Sequence, residues 1–131
     1  TRLYLMFIHF SIIMIVFRKK GSKLNQEYYD FFFHNIEYNL RELGFGDVTV
    51  NKKMKEFNKI LYDILLKIDQ KKDDNKSFEL NQATIFTYFD SLKGNTNNKY
   101  SQFKGYFSNF FNFCFELSLN NMIKDVINFR Y

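Results

Sequence analysis

Residues 23–43, KLNQEYYDFFFHNIEYNLREL, carry two apolar stripes at helical spacing. Tyr29, Phe33, Ile36, Leu40 and Leu43 recur at intervals of four and three, and Leu24, Tyr28, Phe31 and Tyr38 form a second stripe beside them. This is the period of an α-helix rather than the alternation of a strand. Gly44 follows, a residue type suited to the left-handed turn that ends a helix. Because the segment is apolar over much of its circumference, the helix is expected to lie centrally. Only Glu27, Asp30, His34, Glu37 and Arg41 are left to face water or a partner.

Outward from this segment the same period continues. Past Gly44-Phe45-Gly46-Asp47, a helix is predicted over Thr49 to Gln70, with Val50, Met54, Phe57, Leu61, Ile64, Leu65 and Ile68 on one face and Lys52, Lys55, Lys59, Asp63 and Lys67 on the other. On the N-terminal side, Leu3 to Phe17 is an apolar run interrupted only by His9 and Ser11 and followed by Arg18, Lys19 and Lys20. It is short for a membrane span, which needs about 20 apolar residues. It suits a helix buried in the core, while its basic flank also suits peripheral contact with an anionic membrane.

The polar segment 71–76 reads as a solvated loop. Further helices are predicted over Phe78 to Leu92, Lys99 to Leu119 and Met122 to Phe129, with a turn at Gly94 to Asn98. The Lys99–Leu119 helix is so rich in Phe that it is expected to be buried between neighbours. The expectation is therefore an all-α fold, a bundle of about five to six helices forming a single domain over residues 1–131.

Composition supports that reading. The 131 residues include 18 Phe and 9 Tyr but no Pro and only five Gly. The apolar content can offset the entropy of folding, and the turn residues that all-β folds need are scarce. The net charge of +5 favours acidic partners such as nucleic acid or anionic lipid without choosing among them. A single cysteine, Cys114, excludes an intrachain disulfide and a cysteine-based zinc site. The chain opens on Thr1 rather than Met, so a truncated N-terminus is expected, with any targeting peptide upstream.

No catalytic constellation emerges. Asp30, His34 and Glu37 share a helical face, but carboxylate-bridged metal sites usually need a second Glu-x-x-His pair, and none is present. His9 reads as a buried histidine with a satisfied hydrogen bond. Cys114, among phenylalanines, should be an inert hydrophobe with a raised pKa. Gly44-Phe45-Gly46 lacks the strand and third glycine of a dinucleotide fingerprint. It reads instead as a tight turn, with the Asp47 carboxylate placed to cap the next helix. No catalytic, cofactor-binding or metal-ligating residue is expected, and no enzyme. The lysine face of residues 52–67 keeps open an RNA- or ribosome-binding module as the alternative function.

The segment Tyr29–Tyr62, YDFFFHNIEYNLRELGFGDVTVNKKMKEFNKILY, resembles the signature of the ubiquinol–cytochrome c chaperone family. There a Phe-rich helix ends in Arg-Glu-Leu/Met-Gly, Gly-Asp follows, and Val with a basic Lys/Met segment opens the next helix. Arg41-Glu42-Leu43-Gly44, Gly46-Asp47, Val50 and Lys52-Lys53-Met54-Lys55 match in that order. The resemblance implies an all-helical assembly chaperone for the ubiquinol–cytochrome c reductase complex. It would act on newly made cytochrome b or another respiratory-chain subunit, on the matrix side of the mitochondrial inner membrane or in the cytoplasm of a related bacterium. A small helical co-chaperone and the ribosome are further partners on this reading, and Leu3 to Phe17 suits the helix that opens the domain. Arg41, Glu42, Asp47, Lys52, Lys53 and Lys55 are the expected partner-facing group. The alternative is that Glu37 pairs with Arg41 and Asp47 caps its helix, with no partner involved.

Overall fold

With apolar side chains throughout residues 3–17 and no Gly or Pro to interrupt them, the N-terminal run forms one helix, α1 (Arg2–Lys19). The computed structural model describes residues 2–89, 92, 98–118, 122–125 and 129. After α1 come α2 (Gln26–Glu42), α3 (Asp47–Lys67), the short α4 (Gln82–Tyr88), α5 (Asn98–Glu116) and the single turn α6 (Met122–Asp125). Among the described residues the fold is all-α, and the only β-type pairing is an isolated bridge between Asp69 and Leu80.

The central helix is α1, not α2. Phe7, Ile8, Ile12, Ile15 and Val16 are essentially inaccessible to water, and of its apolar residues only Met6 is exposed. The helix packs against α3 on one side and α5 on another, and the rings of α2 lie on it, with Phe10 stacked on Phe32 at 4.4 Å between centroids. The apolar side chains expected to reach a membrane are thus already occupied within the fold. Two of the three basic residues behind them are occupied too. Lys20 Nζ donates to the Leu117 carbonyl at 2.6 Å and lies over the Phe115 ring, leaving Arg18 exposed. Among the described residues no helix is long and apolar enough to cross a membrane.

Lys19 has a different fate. Its side chain is 1% exposed and its ammonium lies 2.8 Å from Asp69 Oδ2, itself 1% exposed. The three N–H bonds of the ammonium are directed at carbonyl oxygens of Lys71 (2.9 Å), Asp74 (2.6 Å) and Ser77 (2.6 Å). An ammonium has three protons, so the fourth neighbour, Asp69 Oδ2, is held by charge alone. Its other oxygen accepts the backbone N–H of Lys71 and Glu79. The Gln70 N–H donates to the Glu79 carbonyl and the Asn81 N–H to that of Ile68, closing a loop around the cation. The side chains of residues 71–76 are exposed, as expected of a solvated loop, while its backbone carbonyls wrap the end of α1.

That loop also shortens the fourth helix. The expected start at Phe78 fails because Glu79 and Leu80 pair back to Gln70 and Asp69. Asn81 then caps α4, its side-chain oxygen accepting the Thr84 N–H. Residues 90, 91 and 93–97, with the predicted turn at Gly94, lie outside the described residues, as do 119–121 and 126–128 beyond α5 and α6. In α5, Phe107, Phe110, Phe111 and Cys114 are buried as expected, and burial pushes the Cys114 thiol up to about 12.

His9 joins α1 to α5. Its Nδ1 is 2.7 Å from the Leu5 carbonyl, which only an N–H can satisfy, so Nε2 accepts from the Tyr106 hydroxyl at 2.9 Å. The Phe107 and Phe110 rings pack on the imidazole. Desolvation lowers its pKa from 6.5, opposed by the Leu5 carbonyl.

Two outcomes follow from the buried ion pair and the half-buried imidazole. Lys19→Met leaves Asp69 buried without its counter-ion and the three loop carbonyls without a donor. It should cost about 3–5 kcal/mol, read as a lower urea midpoint, and Asp69→Asn, which keeps an acceptor for Lys71 and Glu79 but turns an amide NH2 towards the ammonium, should lower the midpoint as well. Because His9 binds its proton more weakly when folded than when unfolded, its contribution is full above pH 6.5 and is lost as pH falls towards the lower folded value. Denaturation across that window should show falling stability in the wild type and a smaller slope in His9→Phe.

Candidate functional site

The joint between α2 and α3 follows from two glycines. Gly44 adopts φ +96°, a left-handed conformation that side-chain-bearing residues avoid. Its N–H donates to the Arg41 carbonyl at 3.0 Å and the Phe45 N–H reaches the Leu40 carbonyl at 3.3 Å, the paired bonds of a Schellman C-cap. Gly46 takes the N-cap position of α3 with no side-chain cap. The expected cap by Asp47 is therefore corrected. Asp47 is the first residue of α3, and its carboxylate is bound by Arg41 Nη1 instead, while still placing negative charge at the positive end of the helix dipole.

Arg41 also binds Glu37 Oε1 at 3.1 Å, the anticipated i,i+4 pair. Hydrogen bonds from Asp47 and Glu37 raise the Arg41 pKa. Arg41 and Asp47 thus brace the joint itself. Of the rest of the predicted group, Lys53 lies with its ammonium 5.1 Å from the centre of the Phe45 ring, while Glu42, Lys52 and Lys55 are exposed. Around them stand exposed apolar side chains: Leu43 at 75%, Val48 at 84% and Phe45 at 39% of full exposure. The geometry brings basic and apolar groups to one end of the α2–α3 hairpin.

Asp30 accepts from Gln26 Nε2, and Glu37 is engaged by Arg41. No cluster of His, Cys, Asp or Glu among the described residues is placed to hold a metal. On α3, Asp63 is bound by Lys67 and by the Tyr88 hydroxyl, which lowers the carboxyl pKa and ties α4 to α3.

A second exposed apolar surface lies along α2, whose aromatic stripes are expected from their spacing to be buried. Only Phe33 and Ile36 of α2 are buried, while Tyr28, Phe31 and Tyr38 are 44%, 67% and 56% exposed. Tyr28 and Phe31 border a groove of about 310 Å³ between α1 and α2, floored by Phe10, Ile13, Phe32 and Ile36. The available signal was the company these aromatics keep. Glu27, Asn35 and Glu42 share their side of the helix, and a buried stripe would not be interleaved with them.

A family model described as Ubiquinol-cytochrome C chaperone matches residues 1–107, and the chain belongs to this family. No curated protein and no solved structure matches the chain. The matched span takes in α1, α2, α3 and α4 and enters α5, so it includes both the joint and the groove.

The left-handed conformation of Gly44 makes the joint sensitive to a side chain there. A Cβ at Gly44 would meet open space, so the cost of substitution is purely conformational. Gly44→Ala should destabilise the protein by about 1 kcal/mol, read as a lower midpoint in chemical denaturation.

Proposed function

We propose that this member of the Ubiquinol-cytochrome C chaperone family is an assembly chaperone that acts by binding rather than by catalysis. It binds newly made cytochrome b and promotes assembly of the ubiquinol–cytochrome c reductase complex. The observation that carries the reading is the family match over residues 1–107, together with exposed aromatic and aliphatic side chains on α2 and at its joint with α3. A factor that shields an unassembled membrane-protein subunit needs an apolar contact surface, and a folded monomer otherwise hides one.

Arg41, Glu42, Asp47, Lys52, Lys53 and Lys55 form the proposed partner-facing cluster. Arg41 and Asp47 pair across the joint, and Glu42, Lys52, Lys53 and Lys55 present charge beside Leu43 and Val48. Polar groups at such a rim steer encounter and exclude wrong partners more than they add affinity. The setting that fits is the matrix side of the mitochondrial inner membrane or the cytoplasm of a related bacterium.

Loss of the protein should deplete mature cytochrome b, and purification of the protein in mild detergent should recover cytochrome b or its assembly intermediates. Lys52→Glu with Lys55→Glu should reduce that recovery. Normal levels of the complex without the protein would overturn the reading. Recovery of ribosomal RNA alone, lost steeply with salt, would replace it with an RNA-binding function of the lysine face.

A further inference from the structure

The exposed face of α2 has a charge pattern opposite to that of the chain as a whole. Glu27, Phe31, Asn35, Tyr38 and Glu42 follow one another at spacings of four, four, three and four, so they stand in one line on the helix. All five are exposed. The line begins and ends on a carboxylate, has its aromatic rings between them, and is about 22 Å long at 1.5 Å per residue. Beside it runs the apolar groove that Met6 and Phe10 of α1 form with Tyr28 and Phe31. The net charge of the chain is +5, yet α2 carries Glu27, Asp30, Glu37 and Glu42 against Arg41 alone.

We infer that this ridge and groove form a docking site for an amphipathic helix of a protein partner, about four turns long, with an apolar face flanked at both ends by Lys or Arg. Apolar contact along the ridge supplies the attraction, and the two carboxylates select and register the basic ends. The same charges argue against the other occupants. In a pair of copies meeting along this ridge, Glu27 faces Glu42 if the helices are antiparallel and Glu27 faces Glu27 if they are parallel, so like charges meet either way. Anionic lipid and nucleic acid meet the wrong sign. A membrane-spanning helix, about 30 Å in length, overruns the ridge.

The inference deepens the chaperone reading and rests on it for its biological setting. The test uses the full chain and two synthetic helical peptides of about 18 residues with the same Leu- and Phe-bearing face, one flanked by Lys and the other by Glu. Calorimetry should show the Lys-flanked peptide bound more tightly, by about tenfold or more. Phe31→Ala and Tyr38→Ala, at exposed positions that spare the core, should each weaken it about tenfold. Glu27→Lys with Glu42→Lys should reverse the preference between the two peptides, while Lys72→Glu, on the exposed loop between α3 and α4, should leave it intact. Equal binding of both peptides would overturn the inference, as would Phe31 and Tyr38 variants that bind like the wild type. A wild-type dimer abolished by Phe31→Ala would assign the ridge to a second copy, and phosphatidylglycerol vesicles released by the same change would assign it to lipid.

The two readings separate in cells. If loss of the protein depletes cytochrome b and the Phe31→Ala, Tyr38→Ala double variant restores it fully, the ridge has no part in the chaperone function and the inference fails while that function stands. If the peptide binds through the ridge as expected and cytochrome b is indifferent to the protein, the chaperone function fails and the docking site stands.

Discussion

Almost every side of α1 is covered, and most of the architecture follows from that constraint. A helix whose residues 3–17 are nearly all apolar can be stable in water only if other elements enclose it. Here α3 and α5 flank it, and the Phe-rich face of α2 closes a further side. Enclosure creates a difficulty at the C-terminal end, where the helix dipole favours a cation but the surroundings are dry. The Lys19 ammonium is accommodated because the chain between Asp69 and Leu80 bends around it and supplies three carbonyls and a carboxylate. The polar loop is thus the local solvent of a buried charge, and its closure ends one helix at Lys67 and delays the next to Gln82.

This hierarchy explains what the amino-acid order revealed and what it hid. The stripe from Val50 to Ile68 read as an amphipathic helix, and it is one, because α3 buries only one face and the period alone assigns that face. The Schellman turn at Gly44 was equally legible, since only glycine takes φ +96° without strain. Whether α1 or α2 is central was not legible locally. Both are apolar through more than one stripe, and competition for the interior is settled by the partners each helix finds. Phe31 and Tyr38 read as core for that reason and lie outside it. The Lys19–Asp69 pair was hidden for a related one, because a lysine behind an apolar run looks like a membrane flank until the fold brings position 69 beside it. The candidate site was legible as a cluster of charges, but Arg41 and Asp47 turned out to satisfy each other.

The two surfaces of the α2–α3 hairpin then fall into different chemical classes. At the joint, lysines of α3 stand beside Leu43 and Val48. Along α2, aromatics stand between carboxylates. A single helical hairpin thereby presents basic and acidic contact faces side by side, although the chain carries a net charge of +5. Complementary charge discriminates between partners more strongly than apolar area does, since burying an unmatched charge is costly whichever partner carries it. On the chaperone reading, one hairpin presents unlike charge to unlike partners, with Glu42 standing at the border of the two faces.

A protein that binds unfinished hydrophobic proteins faces a further physical problem, because the surface that attracts a client also attracts another copy of itself. Covering the surface would prevent association but abolish binding. The arrangement on α2 offers a different resolution. Aromatic rings supply non-directional attraction, while Glu27 and Glu42, at equal distances to either side of the ridge centre, oppose the pairings in which two such ridges overlap along their full length. Neither carboxylate lies within the core, so neither adds to the folding energy that α1 and its neighbours provide. Their exposed positions make them available for specificity, and the stability of the molecule is held elsewhere, around the Lys19 cation and the enclosed helix that ends on it.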